Sequence, residues 1–553
     1  MRGFPVFRLW AALWVPCVLL VSGPALAETY WLDSRFDTNQ THYPNGEEAC
    51  LTGELQRRRD GYEAGSTLPH RYASPNVGPD VGIGERICRG VIERQQFGRW
   101  LPVELVDTVV YGPLGTRPTC ALLGLADPET GQCGVPKCDN DCPADGGNKS
   151  NPIASATGNK RQRELDYRGA GMFPLEFVRT YNSHRVADNQ VRPIGVGWTH
   201  NYAARLVPLL SGTSVTRIRA YRPNGAIQTF SLVGGNWVGD ADVPETLTAT
   251  VSGGVLVSAT YRRADDTVEN YDDLGQLTAI TSPEGFVQTL SYATATGVSP
   301  YVQRVTDPQG RWLAFGYTGN ALTSLTDSAG TVIGYSYSGG NLVTVSYPTE
   351  PSGTVTRTYH YNETGQTGGV SQPHALTGIT DESSHREASW RYDANRRAVL
   401  SVHGPHSSAV DRVTLQFNSS GSATITDSLG KTRNYGFSVS HRAARLALLD
   451  APCDGCTNAA AARSYDANGY PQSATDFEGN VTQFIYDARG LETRRVEAAT
   501  DTAGSRRTVE TDWHPTLRKA TERRIFDAGN VLIARDVFAL NARGQVLIST
   551  RSD

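Results

Sequence analysis

The chain has 553 residues, a formal net charge of −4 and a sequence isoelectric point near 6.3. That balance supplies no global basic field, which excludes nucleic acid as an expected partner. Hydrophobic residues make up 39%, and 56 glycines bring the apolar share to about half, ordinary for a protein with a substantial core.

Arg2 and Arg8 precede the apolar stretch Leu9 to Val21, and Ala25-Leu26-Ala27 offers a small-x-small cleavage site before Glu28. Residues 1–27 therefore read as a signal peptide, and the mature protein is expected in the periplasm, at the cell surface or outside the cell. The apolar stretch is too short for a comfortable span, and no later segment approaches 18 uninterrupted apolar residues, so no stable membrane span is expected after cleavage. Cys17 lies inside the leader, which argues against a lipid anchor at that residue.

Residues 28–145 read as a Cys-containing module with one helix, started by Asn45-Gly46-Glu47-Glu48 and given an apolar stripe by Ala49, Leu51 and Leu55. Cys50, Cys88, Cys120, Cys133, Cys138 and Cys142 belong to it, and Cys453 with Cys456 lies far downstream. An even count in an oxidising compartment predicts disulfides, with the pairing left open. Zinc is the alternative, because Cys133-x4-Cys138-x3-Cys142 and Cys453-x2-Cys456 have ligand-like proximity. No second Cys-x2-Cys pair completes a site, so no metal is expected. Cys453-Asp454-Gly455-Cys456 lacks the βαβ setting of a redox motif and reads as a loop staple. A linker rich in turn formers, residues 142–150, closes the module.

A second region runs over residues 151–244, with strands Thr216 to Tyr221 and Ile227 to Val233 flanking the turn Arg222-Pro223-Asn224-Gly225. Residues 245–553 are repetitive. Tyr271-Asp272-Asp273-Leu274-Gly275 leads in ten residues to Thr281, and Thr281 in eleven to Tyr292. Tyr465-Asp466-Ala467-Asn468-Gly469 leads in the same steps to Thr475-Asp476-Phe477-Glu478-Gly479 and Tyr486-Asp487-Ala488-Arg489-Gly490. Asp307 with Gly310, Asp327 with Gly330 and Asp427 with Gly430 repeat the short form. Asp at the first and Gly at the fourth place are type I turn preferences, and the intervening runs of Val, Ile, Thr, Tyr and Leu alternate as strands do. A period of about 20 residues predicts units that bury their apolar faces against one another. The expected fold class is all-β: repetitive antiparallel hairpins in a winding sheet or partial shell. Pro351-Ser352-Gly353 and the segment His403 to Ser408 interrupt the phasing and read as longer loops.

The Tyr-Asp-x-x-Gly and Thr-Asp-x-x-Gly units resemble the YD repeats of bacterial Rhs proteins, which are related to teneurins and toxin-complex shell proteins. Asn151-Pro152-Ile153, Thr157-Gly158-Asn159-Lys160, the run Pro174 to Ser183 with Arg179, Tyr181, Asn182 and Ser183, and Gly195-Val196-Gly197-Trp198-Thr199-His200 are similar to the domain that precedes such repeats. The resemblance covers residues 151–553 and implies a non-catalytic β-shell that encloses or presents a C-terminal toxin in intercellular competition. Its partners would be that passenger or a second shell polypeptide. The repeats run to Ser552-Asp553 with no terminal core motif, so the chain is expected to be an N-terminal shell portion lacking the toxin. The alternative is a complete exported protein that binds a glycan or receptor at a cell surface through its 24 Tyr and 9 Trp.

No Gly-x-Ser-x-Gly, no His-Glu-x-x-His and no phosphate-binding loop occurs, and neither a catalytic residue nor a cofactor is expected. His403-x-x-His406 sits in a Gly-Pro loop that places no two ligands on one helix face. The pentad aspartates read as turn formers in place of a glycosidase pair. Trp198 and His200 read as a packed aromatic over a hydrogen-bonded histidine.

Overall fold

The computed structural model describes residues 153–186, 193–211, 214–292, 301–418, 421–452, 460–501 and 504–552 in full, and the backbone alone of six strands between Trp31 and Lys149. Five of those six form an antiparallel sheet in the order His42–Tyr43, Trp31–Leu32, Arg99–Tyr111, Glu85–Gln96, His70–Gly82. The helix expected from Asn45 lies outside the described residues, as do the side chains of all eight cysteines of the mature chain.

The described residues hold no α-helix. Arg161–Arg168, Glu176–Asn182 and Trp198–His200 make a three-stranded antiparallel sheet with Glu176–Asn182 in the middle. From Arg205–Ser211 to Val546–Ser552 runs one sheet of thirty strands, each paired antiparallel with the next in sequence and without a crossover. It begins inside the region that the sequence assigns to the pre-repeat domain, so the expected boundary at residue 245 falls within a continuous sheet.

Alternation along the strands sets one face inward. Val305, Leu313, Phe315, Leu325 and Ile333 are buried, while their chain neighbours are partly or fully exposed. Seven pentads share one turn geometry. In each, the Asp carboxylate accepts from the amides two and four residues on, as Asp307 does from Gln309 and Arg311 at 2.9 Å each. The same holds for Asp272, Asp327, Asp427, Asp466, Asp476 and Asp487. The fourth residue, glycine in all seven, takes a positive φ.

The strip is stepped where the aromatic of a repeat enters the turn. The register shifts immediately before Tyr292, Tyr317, Tyr337, Tyr361, Tyr392, Tyr465 and Trp513. Across most of these steps lies a residue whose carbonyl the next repeat uses. Leu277 faces Tyr271, and Tyr292 Oη donates to Leu277 O at 2.9 Å. Val302 faces Tyr292 and accepts from Tyr317 at 2.8 Å; Leu322 faces Tyr317 and accepts from Tyr337 at 2.7 Å. Tyr361 to Leu342, Tyr392 to Leu376, Tyr465 to Leu446 and Trp513 Nε1 to Glu492 continue the series.

Pro351-Ser352-Gly353 differs from the expected longer loop. Thr349 pairs with Gly353 across a tight turn between two nine-residue strands, so the phasing slips because the strands lengthen. The connection after His403 is long, spanning residues 404–412.

The sheet coils back on itself. Arg442 meets Asp240 and Arg445 meets Asp242, 202 and 203 residues apart, and further on Arg518 N donates to Asp266 and Arg543 to Glu284 O, 252 and 259 residues apart. At its start, Leu206 N donates to Gly275 O at 2.9 Å, so a hairpin turn covers the first edge strand. A Cβ on Gly275 would stand 2.0 Å from Leu206 O, whereas one on Gly330, of similar φ, meets nothing within 4 Å. Gly330→Ala is therefore expected to cost about 1–2 kcal/mol for its left-handed backbone alone. Gly275→Ala should cost at least twice that in urea unfolding; equal losses would refute the covered edge.

Candidate functional site

A dense constellation of buried polar side chains lies where the three-stranded sheet meets the coil; a second, Arg222 with Glu269, Arg263 and Tyr271, lies within the coil itself. In the first, Asp166 sits at an irregularity in the ladder between Leu165 and Tyr167, where it meets Arg179, and both side chains are fully buried. Arg179 Nε donates to Asp166 Oδ2 at 2.5 Å and Nη2 to Oδ1 at 2.8 Å. Tyr335 and Tyr347 from the coil donate to the same carboxylate at 2.9 and 2.7 Å. Arg179 Nη2 also reaches Tyr359 Oη at 2.7 Å, and the guanidinium lies 4.8 Å from the Trp198 ring. Burial opposes the guanidinium charge, and the facing Asp166 carboxylate more than offsets it, so the Arg179 pKa stands well above its ordinary value.

The remaining motif residues occupy the same interface. Tyr181 Oη donates to His374 O and accepts from Leu376 N. Asn182 accepts from Asn159 and donates to Asn224 O, while Ser183 Oγ accepts from Lys160 N and donates to Asn159 Oδ1. The Thr157-to-Lys160 and Arg179-to-Ser183 blocks are thus two halves of one hydrogen-bonded knot. Gly197 takes φ +79, and its carbonyl accepts from Asn182 N. Trp198 is fully buried and donates from Nε1 to Tyr361 Oη at 2.9 Å. His200 packs on Phe177 and Phe315, and its Nδ1 accepts from Tyr202 N. Burial alone lowers its pKa to about 3.

Nothing in this arrangement performs acid–base chemistry at neutral pH. The carboxylate is saturated by one arginine and two phenols, and the imidazole is neutral inside aromatic rings. His403 and His406 part company: the first meets Asp411 at 2.7 Å and the second the Trp390 carbonyl at 3.1 Å. No group of three or more His, Cys, Asp or Glu poised for a metal occurs among the described residues. The sequence reading missed Asp166. Its strand, Arg161–Arg168, is mostly polar and looks solvated, and its phenolic partners lie 169 and 181 residues away. It missed Glu164 for the same reason, which pairs with the inward-pointing Arg357 at 2.9 Å.

A family model described as a domain of unknown function, DUF6531, matches residues 150–230, the stretch containing this knot. No curated protein matches. The crystal structure of TcdB2–TccC3–Cdc42 is similar at a TM-score of 0.26 and 12% identity, over 69% of this chain and 25% of that one. The Photorhabdus luminescens Tc holotoxin pore gives 0.27 and 12%, over 70% and 26%. A porin-like protein from Bacteroides uniformis gives 0.14 and 10%, over 56% and 93%. This chain thus spans about a quarter of the length of the first two. Likenesses this distant assign no function.

Two outcomes test the knot. Asp166→Asn leaves Arg179 buried opposite a neutral amide and should cost about 3–5 kcal/mol in urea unfolding. Acid should weaken the fold from pH 6.5 downward. His200, and His184, whose pKa falls to about 4 by burial and by Arg397, are neutral when folded and take up protons on unfolding. Their contribution is complete above pH 6.5 and is lost at about 1.4 kcal/mol per pH unit per histidine as the pH falls towards 4 and 3. Burial also holds His360 and His406 below their ordinary pKa, so in His200→Asn, whose amide can accept from Tyr202 N, the loss between pH 7.5 and 5.5 should be smaller than in the parent but not abolished.

Proposed function

We propose that this chain is the shell portion of an exported container: a non-catalytic β-scaffold of the Rhs type that encloses or presents a passenger polypeptide, for which a toxin used in intercellular competition is the expected cargo. The observation that carries this reading is the coil. One uncrossed sheet returns to lay its turns against turns made 202 to 259 residues earlier, around an interior occupied by the domain that precedes it. Such a strip has one covered edge and an inward face, which is what a wall needs.

The arrangement of aromatics disfavours a glycan-binding surface. Tyr271, Tyr359, Tyr392 and Tyr435 are buried, and most repeat tyrosines have their hydroxyls committed to backbone carbonyls. Rings held this way are unavailable for stacking on sugars.

Native mass spectrometry of the protein isolated from its producing cells, before and after protease treatment, tests the container reading. A particle heavier than the 59.9 kDa of this chain, whose extra polypeptide resists protease until urea opens the coil, is the expected result. A bare chain that protects nothing would overturn it.

A further inference from the structure

One long connection of the array is tied down on the side of the sheet away from the core. Tyr359 and Ile379 point into the core, so their chain neighbours His360 and Gly378 point outward, and the ladder carries that outward row on through Ser389 to Val402. Ser389 and Val402 are nonetheless fully buried. The connection 404–412 folds back over them. Gly404, at φ +84, turns the chain; its N donates to Glu387 O at 2.8 Å, and its carbonyl accepts from Ser389 Oγ at 2.8 Å. Farther along, His406 Nε2 donates to Trp390 O at 3.1 Å, and Arg412 Nη1 holds the loop in shape through the carbonyls of His406 and Ser408.

A charged cluster lies against this loop. Arg386 lies across Gly378, whose missing side chain leaves it room, and bonds both oxygens of Glu363 at 3.1 and 2.6 Å. His360, beside Gly378 in the row, meets Thr380 Oγ1 at 2.8 Å. For His360, burial and Arg386 favour the neutral ring over the pull of Glu363. For His406, burial outweighs the Trp390 carbonyl and Glu363, and Arg386 and Arg391 add to it. Glu363 is the facing carboxylate, and Arg386 holds it ionised against its own burial. His403, the other histidine of the His-x-x-His spacing, pairs with Asp411 at 2.7 Å inside the loop.

We propose that residues 404–412 are an acid-released strap: protonation of His406 and His360 adds two cations beside Arg386 and Arg391, with Glu363 already committed, and the strap lifts from the row Gly378, Ser389, Val402. With Nε2 donating to Trp390 O, His406 takes up its proton at Nδ1. Both imidazoles are neutral while the strap is closed and charge more readily once it is off, so closure is complete above about pH 6.5 and weakens below it. The His403–Asp411 pair travels with the strap and does not oppose its release. The array need not unwind, because strands Ala398–His403 and Val413–Phe417 stay paired through Leu400 with Thr414 and Ser401 with Val413. Local opening of this kind has a lower free energy than global unfolding, and histidine charge is the device that biases it between pH 5 and 8.

Hydrogen exchange of the full chain at pH 7.5 and 5.5, corrected for the intrinsic pH dependence of exchange and followed by mass spectrometry, tests the strap. Protection of the peptide covering residues 404–412 should fall about tenfold between the two pH values, the effect of one histidine released over one pH unit below its ordinary value. In His360→Gln/His406→Gln, whose amides keep the bonds to Thr380 Oγ1 and Trp390 O, that fall should vanish, while the core strands Val332–Ser338 and Asn341–Thr349 respond to acid as in the parent. Ser389→Ala, which removes the bond to Gly404 O and no titrating group, should loosen the strap at both pH values and leave its acid response intact. A strap already unprotected at pH 7.5, no fall at pH 5.5, or an equal fall in the double glutamine variant would each refute the switch. None of these outcomes depends on a passenger, so the container reading and the strap can fail separately.

Discussion

A strip of thirty consecutive strands coils only if its ladder is broken at regular places, and a broken ladder inside a protein leaves backbone groups without their regular partners. The repeat aromatic answers that constraint. It sits at the step, and its hydroxyl reaches the carbonyl opposite the preceding aromatic, so Tyr317 serves Val302 and Tyr337 serves Leu322. Where the bond forms, a unit is completed by the next. Where tyrosine holds the step, neighbouring units are coupled; Phe437 and Phe526 hold the same step and pack without donating. Trp513 keeps the chemistry without a hydroxyl, donating from its indole to Glu492 O.

The second dependency runs across the molecule. The three-stranded sheet is no separate globule resting beside the array, because Phe177, Tyr181 and Trp198 share one core with Phe315, Tyr335 and Tyr359. Its polar centre joins Asp166 and Arg179 to three tyrosines on successive strands. A buried ion pair adds little stability compared with an apolar filling, but it tolerates only one register of the strands that supply its phenols. The knot therefore fixes which repeat faces which strand of the inner sheet.

Much of this was legible locally. Asp and Gly four places apart define the turns, since the carboxylate bonds the amides two and four residues on and glycine accepts the left-handed backbone. Where glycine is absent the signal vanishes although the turn persists: Ser384, Arg396 and Asn530 hold the same fourth position at φ +64, +64 and +61. Asp381 and Asp527 bond as the others do, and Asp393 accepts from the amide four residues on. The inner sheet was legible as a set of motifs and illegible as a site. Arg179, Tyr181 and Trp198 stand out in the chain, but their partners lie 163 to 195 residues away, and no periodicity encodes which tyrosine meets which arginine.

The separation between Arg179 and Tyr359 is 180 residues, with the arginine first in the chain. At a synthesis rate of about 5–20 residues per second, the inner sheet leaves the ribosome roughly 10–35 s before its phenols exist. Each hairpin of the array, by contrast, can pair with its predecessor as soon as it emerges, because all thirty strands are joined to their neighbours in sequence. The inner sheet is made with its Arg179–Asp166 pair already within reach but without the phenols that complete it, and the strip is added to it from one end. Translation thus gives the coil a direction in time, with the inner sheet as the bobbin.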